Sequence, residues 1–474
     1  MSRNEKNKSA RRTRHIHPPY IVAGKNGGQV ADKKWFGILA VILWCLLLAD
    51  QARGTDWLEK QKLLASDGAA NDWFGRSVSI SGDYAIVGAY RDDDKGSDSG
   101  SAYIFKREGA AWLLKQKLLA SDGAADDLFG YSVSISGDYV IIGASADDDR
   151  GSDSGSAYIF KRTLKYIPPG GFVWVWEEQA KLLASDGAAN DLFGYSVSIS
   201  DDYVIVGAPY DNDNGSDSGS AYIFKRDGTI WTQQQNLTAS DGAALDYFGC
   251  SVSISGDYAI VGAHQDDDKG TDSGSAYIFK RDGTSWLQQP KLLASDGAAG
   301  DYFGRSVSIN GDYAIVGAYG DDDRGDASGS AYIVKRVGIA WVLQPKLLAA
   351  DGDDGNYFGH SVSISGDYAI VGAYGDDDRG SDSGSAYIFK RDGAAWLQQP
   401  KLLAADGAAN DFFGYSVSIS SDYAIVGAFA DDDKGDVSGS AYVFMKCPAA
   451  DLSGDCFVDF ADFATMASQW LQGD

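Results

Sequence analysis

Near the C-terminus, Asp451, Ser453, Asp455, Asp459 and Asp462 stand at positions 1, 3, 5, 9 and 12 of a twelve-residue stretch. Phe457 adds a backbone carbonyl between them. Oxygen donors spaced in this way let a short loop wrap a hard cation, so the expected ligand is Ca2+. The segment that follows sets Phe463, Met466, Ala467, Trp470 and Leu471 on one helical face. Further carboxylates lie in clusters at Asp92 to Asp98, Asp147 to Asp153, Asp266 to Asp272 and Asp376 to Asp382. Each mixes alternate Asp with a Gly, which suits a cation, and it equally suits a solvated acidic rim.

These clusters recur because the chain does. Phe-Gly-x-Ser-Val-Ser-Ile occurs seven times, beginning at Phe74, Phe129, Phe193, Phe248, Phe303, Phe358 and Phe413. The interval is 55 residues except for one of 64, and a fixed period of this kind marks a repeat architecture. In the fifth copy, Val307 and Ile309 alternate with serines as in a half-buried strand. A turn at Asn310-Gly311-Asp312 leads to a second strand, Tyr313 to Ala318. A third follows at Ser330 to Lys335 and a fourth at Trp341 to Leu348. Four short antiparallel strands joined by turns make one propeller blade. The chain enters the repeats with a fourth-strand sequence at Trp57 and leaves after a third strand at Lys446. The N-terminal strand is therefore expected to complete the last blade and close the ring, which removes an exposed sheet edge. The expected fold is all-β: a seven-bladed β-propeller closed by an N-terminal strand, plus a short C-terminal EF-hand-like loop-helix. The domains read as a leader over 1–52, a propeller over 55–446 and the calcium loop and helix over 447–474.

Where near-copies differ, a ligand site is a candidate. The residue after Phe-Gly runs Arg76, Tyr131, Tyr195, Cys250, Arg305, His360 and Tyr415. The residue closing the second strand runs Tyr90, Ser145, Pro209, His264, Tyr319, Tyr374 and Phe429. Both positions are expected near the central channel, on the face that carries the acidic loops. Arg76, Tyr131, Tyr195, Arg305, His360, Tyr415, Tyr90 and His264 are the candidate pocket for a sugar or peptide. Drift at exposed, tolerant positions is the competing reading. His264 and His360 stand singly and read as exposed variants rather than catalysts. No nucleophile–base constellation is visible, so no enzymatic activity is expected.

Bulk charge narrows the partners. The leader is +7 against −26 for the whole chain, so Trp35 onward carries −33. Such a surface repels nucleic acid and anionic lipid. A fifteen-residue apolar run, Trp35 to Ala49, follows the basic residues and suits a signal-peptide core better than a membrane span. The chain is expected to be secreted or at the cell surface, with membrane contact only if that leader stays as an anchor. Cys447 and Cys456 lie nine residues apart and could pair in an oxidising compartment; Cys250 stands alone.

The Phe-Gly opening and the Gly-Ala close of the second strand (Gly88-Ala89, Gly143-Ala144, Gly207-Ala208-Pro209) resemble FG-GAP repeats, as in integrin alpha-subunit propellers and bacterial surface proteins. The resemblance implies a seven-bladed propeller used for extracellular binding and adhesion. One departure is clear: the connection at Ser81-Gly82-Asp83 is too short for the calcium loop that integrins place there. The tail resembles half of a type I dockerin, with Asp at its last loop position and Cys456 in place of the usual turn Gly. That implies a cohesin-like partner through the tail, beside an extracellular protein or glycan bound by the ring. A structural cell-envelope scaffold and a propeller hydrolase are the alternative functions.

Overall fold

The structure, a computed structural model, describes residues 57–448, 451, 456, 458 and 460–471. The expected leader over 1–52 lies outside the described residues. These form seven four-stranded antiparallel sheets, six of them in simple sequential order and the seventh taking in the chain's first strand, and one helix, Phe460–Leu471. In the fifth blade the strands are Val307–Asn310, Tyr313–Ala318, Ser330–Val337 and Ala340–Leu347. The first strand buries alternate residues, whereas the second and third are buried almost throughout, as their unbroken apolar runs require. Among the described residues no helix is long and apolar enough to cross a membrane.

The ring closes as the strand order demands. Trp57–Leu63 pairs antiparallel with Ser440–Lys446, so the chain's first strand becomes the outer strand of the seventh blade. Each hydrophobic core lies between neighbouring blades rather than within one. Ile425 and Val443 of the seventh blade pack with Val78, Ile80 and Phe105 of the first across the closure. A blade alone would leave these faces in water, which is why the ring is the stable unit.

The repeated Phe-Gly and Gly-Ala have steric reasons. Phe74 is fully buried and meets Tyr103 and Phe105 edge-on at 5.4 and 6.2 Å. Gly75 has φ of +91°, and a Cβ there would fall 2.1 Å from the Ser440 carbonyl oxygen of the preceding blade. Gly88 likewise admits no Cβ, because the Gly130 oxygen of the next blade would stand 2.1 Å away. Both glycines mark where backbones of adjacent blades touch.

Two departures from the repeat are local. The third and fourth strands of the second blade extend into a long hairpin, Ser156–Ile167 and Gly171–Leu182, which takes up the additional residues. The outer strands Ser285–Gln288 and Ala395–Gln398 end shortly before Pro290 and Pro400, whereas Ala340–Leu347 runs through Pro345 at the equivalent position.

Candidate functional site

The first strand of every blade faces the axis, so the residue after each Phe-Gly converges on one place. Arg76, Tyr131, Tyr195, Cys250, Arg305, His360 and Tyr415 together line a cavity of about 210 Å³. The Arg76 guanidinium lies over the rings of Tyr415 and Tyr131, at 4.5 and 5.1 Å. Among the described residues, neither Arg76 nor Arg305 has a carboxylate partner.

Cys250, His264 and His360 are uncharged at neutral pH. Burial, then Arg305 and Arg76, hold the His360 imidazole well below its ordinary value. His264 is pushed down to about 3 by burial and by Arg305. Burial pushes the Cys250 thiol up, so it stays protonated and donates to the Gly262 carbonyl at 3.5 Å. His360 is only 8% exposed, which corrects the reading of it as an exposed variant. Its Nδ1 finds no hydrogen-bond partner among the described residues, and the same holds for Nδ1 of His264.

The residues closing the second strands do not line this cavity; they form a collar beside it. Tyr90 meets Tyr131 at 5.3 Å, and Phe429 meets Tyr415 at 4.6 Å. Their partners are residues that the sequence reading passed over, those just before Phe-Gly: Trp73, Leu128, Leu192, Tyr247, Tyr302, Tyr357 and Phe412. All have φ between 53° and 59°, a left-handed conformation that costs a bulky L-residue energy. Each is held there by the preceding blade's acidic loop, as when Tyr302 donates its N–H to the Asp272 carbonyl at 3.0 Å. Tyr302 stacks on Tyr319, Tyr357 on Tyr374 and Phe412 on Phe429, within 14° of parallel. The collar is aromatic except at Leu128, Ser145, Leu192 and Pro209, where the second and third blades leave a gap.

The acidic loops hold internal cations. Lys117, on an outer strand, places its ammonium 2.7–2.9 Å from Asp67, Asp92 and Asp94. Tyr103 completes the cage, with its hydroxyl 2.9 Å from Asp67 and 3.0 Å from Asp92. Lys62, Lys181, Lys291, Lys346 and Lys401 repeat the arrangement, with contacts of 2.6–3.0 Å. The carboxylates Asp296, Asp321 and Asp323, close enough together to hold a metal, are those round Lys346. Burial works against the Lys117 charge, and the three aspartates outweigh it, so the net shift is upward. The third blade differs: Asn236 stands at the lysine position. Its Nδ2 donates to Asp213 at 2.8 Å and Asp186 at 3.3 Å, while its buried Oδ1 has no partner among the described residues.

On the opposite face, the arginines ending the third strands pair with aspartates of the first turns, among them Arg107 with Asp83 and Arg281 with Asp257. In the tail, Cys447 and Cys456 form a disulfide. Asp451 accepts a hydrogen bond from the Cys456 N–H at 2.7 Å, and Cys456 has φ of 64°, the conformation a turn Gly would take. Asp451 and Asp462 are buried. Ser453, Asp455, Phe457 and Asp459, the other expected calcium ligands, lie outside the described residues. The helix begins at Phe460, three residues before the expected apolar face, and Phe463 of that face is 60% exposed.

No curated protein matches this chain. Among solved structures, it is similar to a putative 6-phosphogluconolactonase from Bacteroides uniformis, at 12% identity and a TM-score of 0.46. The match covers 72% of this chain and 88% of that one. The FG-GAP repeat family matches residues 57–105, 112–160, 176–224, 231–279, 286–334, 341–389 and 396–444. With seven matched segments spanning more than half of its length, each beginning at an outer strand and ending in the third strand of the next blade, the chain belongs to the FG-GAP repeat family.

Proposed function

We propose that this chain is an exported, non-enzymatic binding propeller that mediates protein or carbohydrate interactions at the cell surface. The collar and channel take the ligand, and the C-terminal loop serves as a calcium-dependent tether. One observation carries the reading. In repeats that are otherwise near-copies, the residue after Phe-Gly varies, and all seven variants meet in one cavity. Half-buried aromatic rings round such a cavity supply contact area at little entropic cost. The strained backbone before each Phe-Gly supports the same reading, because it holds a large ring at the mouth.

The chemistry of the cavity favours binding over turnover. Its thiol is protonated, its His360 imidazole and that of His264 beside it are neutral, and among the described residues no hydroxyl or thiol is hydrogen-bonded to either imidazole ring. In the tail, Asp451, Asp462 and the left-handed turn at Cys456 suit a loop closed on Ca2+, which would be held by the ligand set named above.

The test is binding of the chain to an array of glycans and peptides, beside Tyr415→Ala. Capture of a defined ligand class, weakened at least tenfold by the substitution, is the expected result. Capture that Tyr415→Ala leaves unchanged places the ligand elsewhere, and turnover abolished by His360→Ala would make the ring an enzyme.

A further inference from the structure

We propose that the channel is an anion site, selective for a single carboxylate carried on a pyranose ring, with Arg76 and Arg305 as its clamp. The proposal rests on the channel being the ligand site. Arg76 belongs to the first blade and Arg305 to the fifth. They are three blades apart one way and four the other, as near to opposition as a seven-membered ring permits. A guanidinium does not lose its proton in proteins, so the cavity carries two fixed positive charges. With the His360 imidazole neutral and Cys250 a thiol, no negatively charged side chain among the described residues lines the cavity to offset them. Arg305 itself acts against the charge on Arg76. Two like charges facing one small cavity without a counter-ion are unfavourable, and an anion between them removes that cost.

The collar beside the cavity chooses the carrier of the anion. Flat, paired rings such as Tyr357–Tyr374 and Phe412–Phe429 offer apolar faces to the C–H face of a sugar. The Nδ1 of His360 is a buried hydrogen-bonding atom with no partner among the described residues. At about 210 Å³ the cavity is smaller than the roughly 300–1,000 Å³ of drug-sized sites, so it admits one ring and not a chain. The mouth lies on the face of the acidic loops, in a body of charge −33 from Trp35 onward. A polyanion laid across that face is repelled. The ligand is therefore a glycan that ends in one uronic acid and enters end-on.

Calorimetric titration with D-glucuronate, D-glucose and acetate, on the wild-type chain and on Arg305→Gln, tests this. We expect glucuronate to bind at least tenfold more tightly than glucose or acetate, and to lose at least tenfold in Arg305→Gln. Arg305→Lys, which keeps the charge, should retain most of the affinity, and it serves as the folded control if Arg305→Gln fails to fold. Glucuronate should raise the melting temperature of the wild type and leave that of Arg305→Gln unmoved. Glucose binding as tightly as glucuronate, with loss in Tyr415→Ala, would overturn the anion and leave the channel as a ligand site. Acetate binding as tightly as glucuronate would overturn the sugar. Glucuronate affinity unchanged in the Arg76→Gln/Arg305→Gln chain would overturn the clamp.

Discussion

Charge is handled in opposite ways at the rim and in the channel. At the rim, each caged lysine has three aspartates within 3.0 Å, and the aspartates in turn have a cation inside the protein. In the channel, Arg76 and Arg305 have tyrosine rings, neutral histidines and a thiol for neighbours. The rim is self-sufficient: its carboxylates lock loop to outer strand in each blade. The channel is left electrostatically incomplete, and incompleteness in a preformed cavity is what a ligand can use. A chain of strongly negative total charge thus keeps its positive charge without an acidic partner at the axis.

The largest effects should come from exchanging cage and gap. Lys117→Met leaves Asp67, Asp92 and Asp94 without their cation; Asp92 is buried but Asp67 and Asp94 are half exposed and screened by solvent, so the loss costs about 1–3 kcal/mol. The reciprocal change, Asn236→Lys, supplies the third blade with the missing ammonium and should add about 1–2 kcal/mol. Urea denaturation of the two variants checks both signs. Equal stability of all three chains would mean that the cages are solvated surface and that the contrast with the channel is empty.

A smaller effect lies beneath the rim. Asp72, Asp127, Asp191, Asp246, Asp301 and Asp411 cap the turns before each Phe-Gly and are pushed up by burial to about 6. Raised carboxylates bind protons more tightly in the fold than in the open chain. Their contribution is therefore greatest below the ordinary value of 3.8 and is lost as pH rises through 6. The sixth blade has Asn356 at this position and lacks the term. Asp411→Asn should match the wild type near pH 4 and exceed its stability at pH 7 by about 1–2 kcal/mol. Thermal melts from pH 4 to 7 read this out, and parallel curves for the two chains would contradict it.

The fold was legible because a 55-residue period with short alternating strands has few solutions, and because the displaced strand at Trp57 announced how the ring closes. The channel was legible for a different reason. Against near-identical repeats, Arg76, Tyr131 and His360 stand out, and the strand they begin is the innermost. The cages were not legible, although a lysine recurs on every outer strand but one. Lys117 and its aspartates are 25 and 50 residues apart, and only the blade's geometry brings loop and outer strand together. The collar was hidden because bulky residues rarely adopt a left-handed backbone. Trp73 and Tyr302 carry no repeat signature of their own, and it is the acidic loop of the preceding blade that holds them.

The central claim, a channel whose positive charge is unneutralised until a ligand arrives, is tested most directly by nitrogen-15 NMR of the histidine side chains across pH. The whole sequence holds four histidines, so the spectrum is simple. Burial with Arg305 and Arg76 should keep the His360 titration well below its ordinary 6.5 in the free chain, and saturating glucuronate should move it upward. A His360 that titrates near 6.5 and ignores the anion would contradict the account.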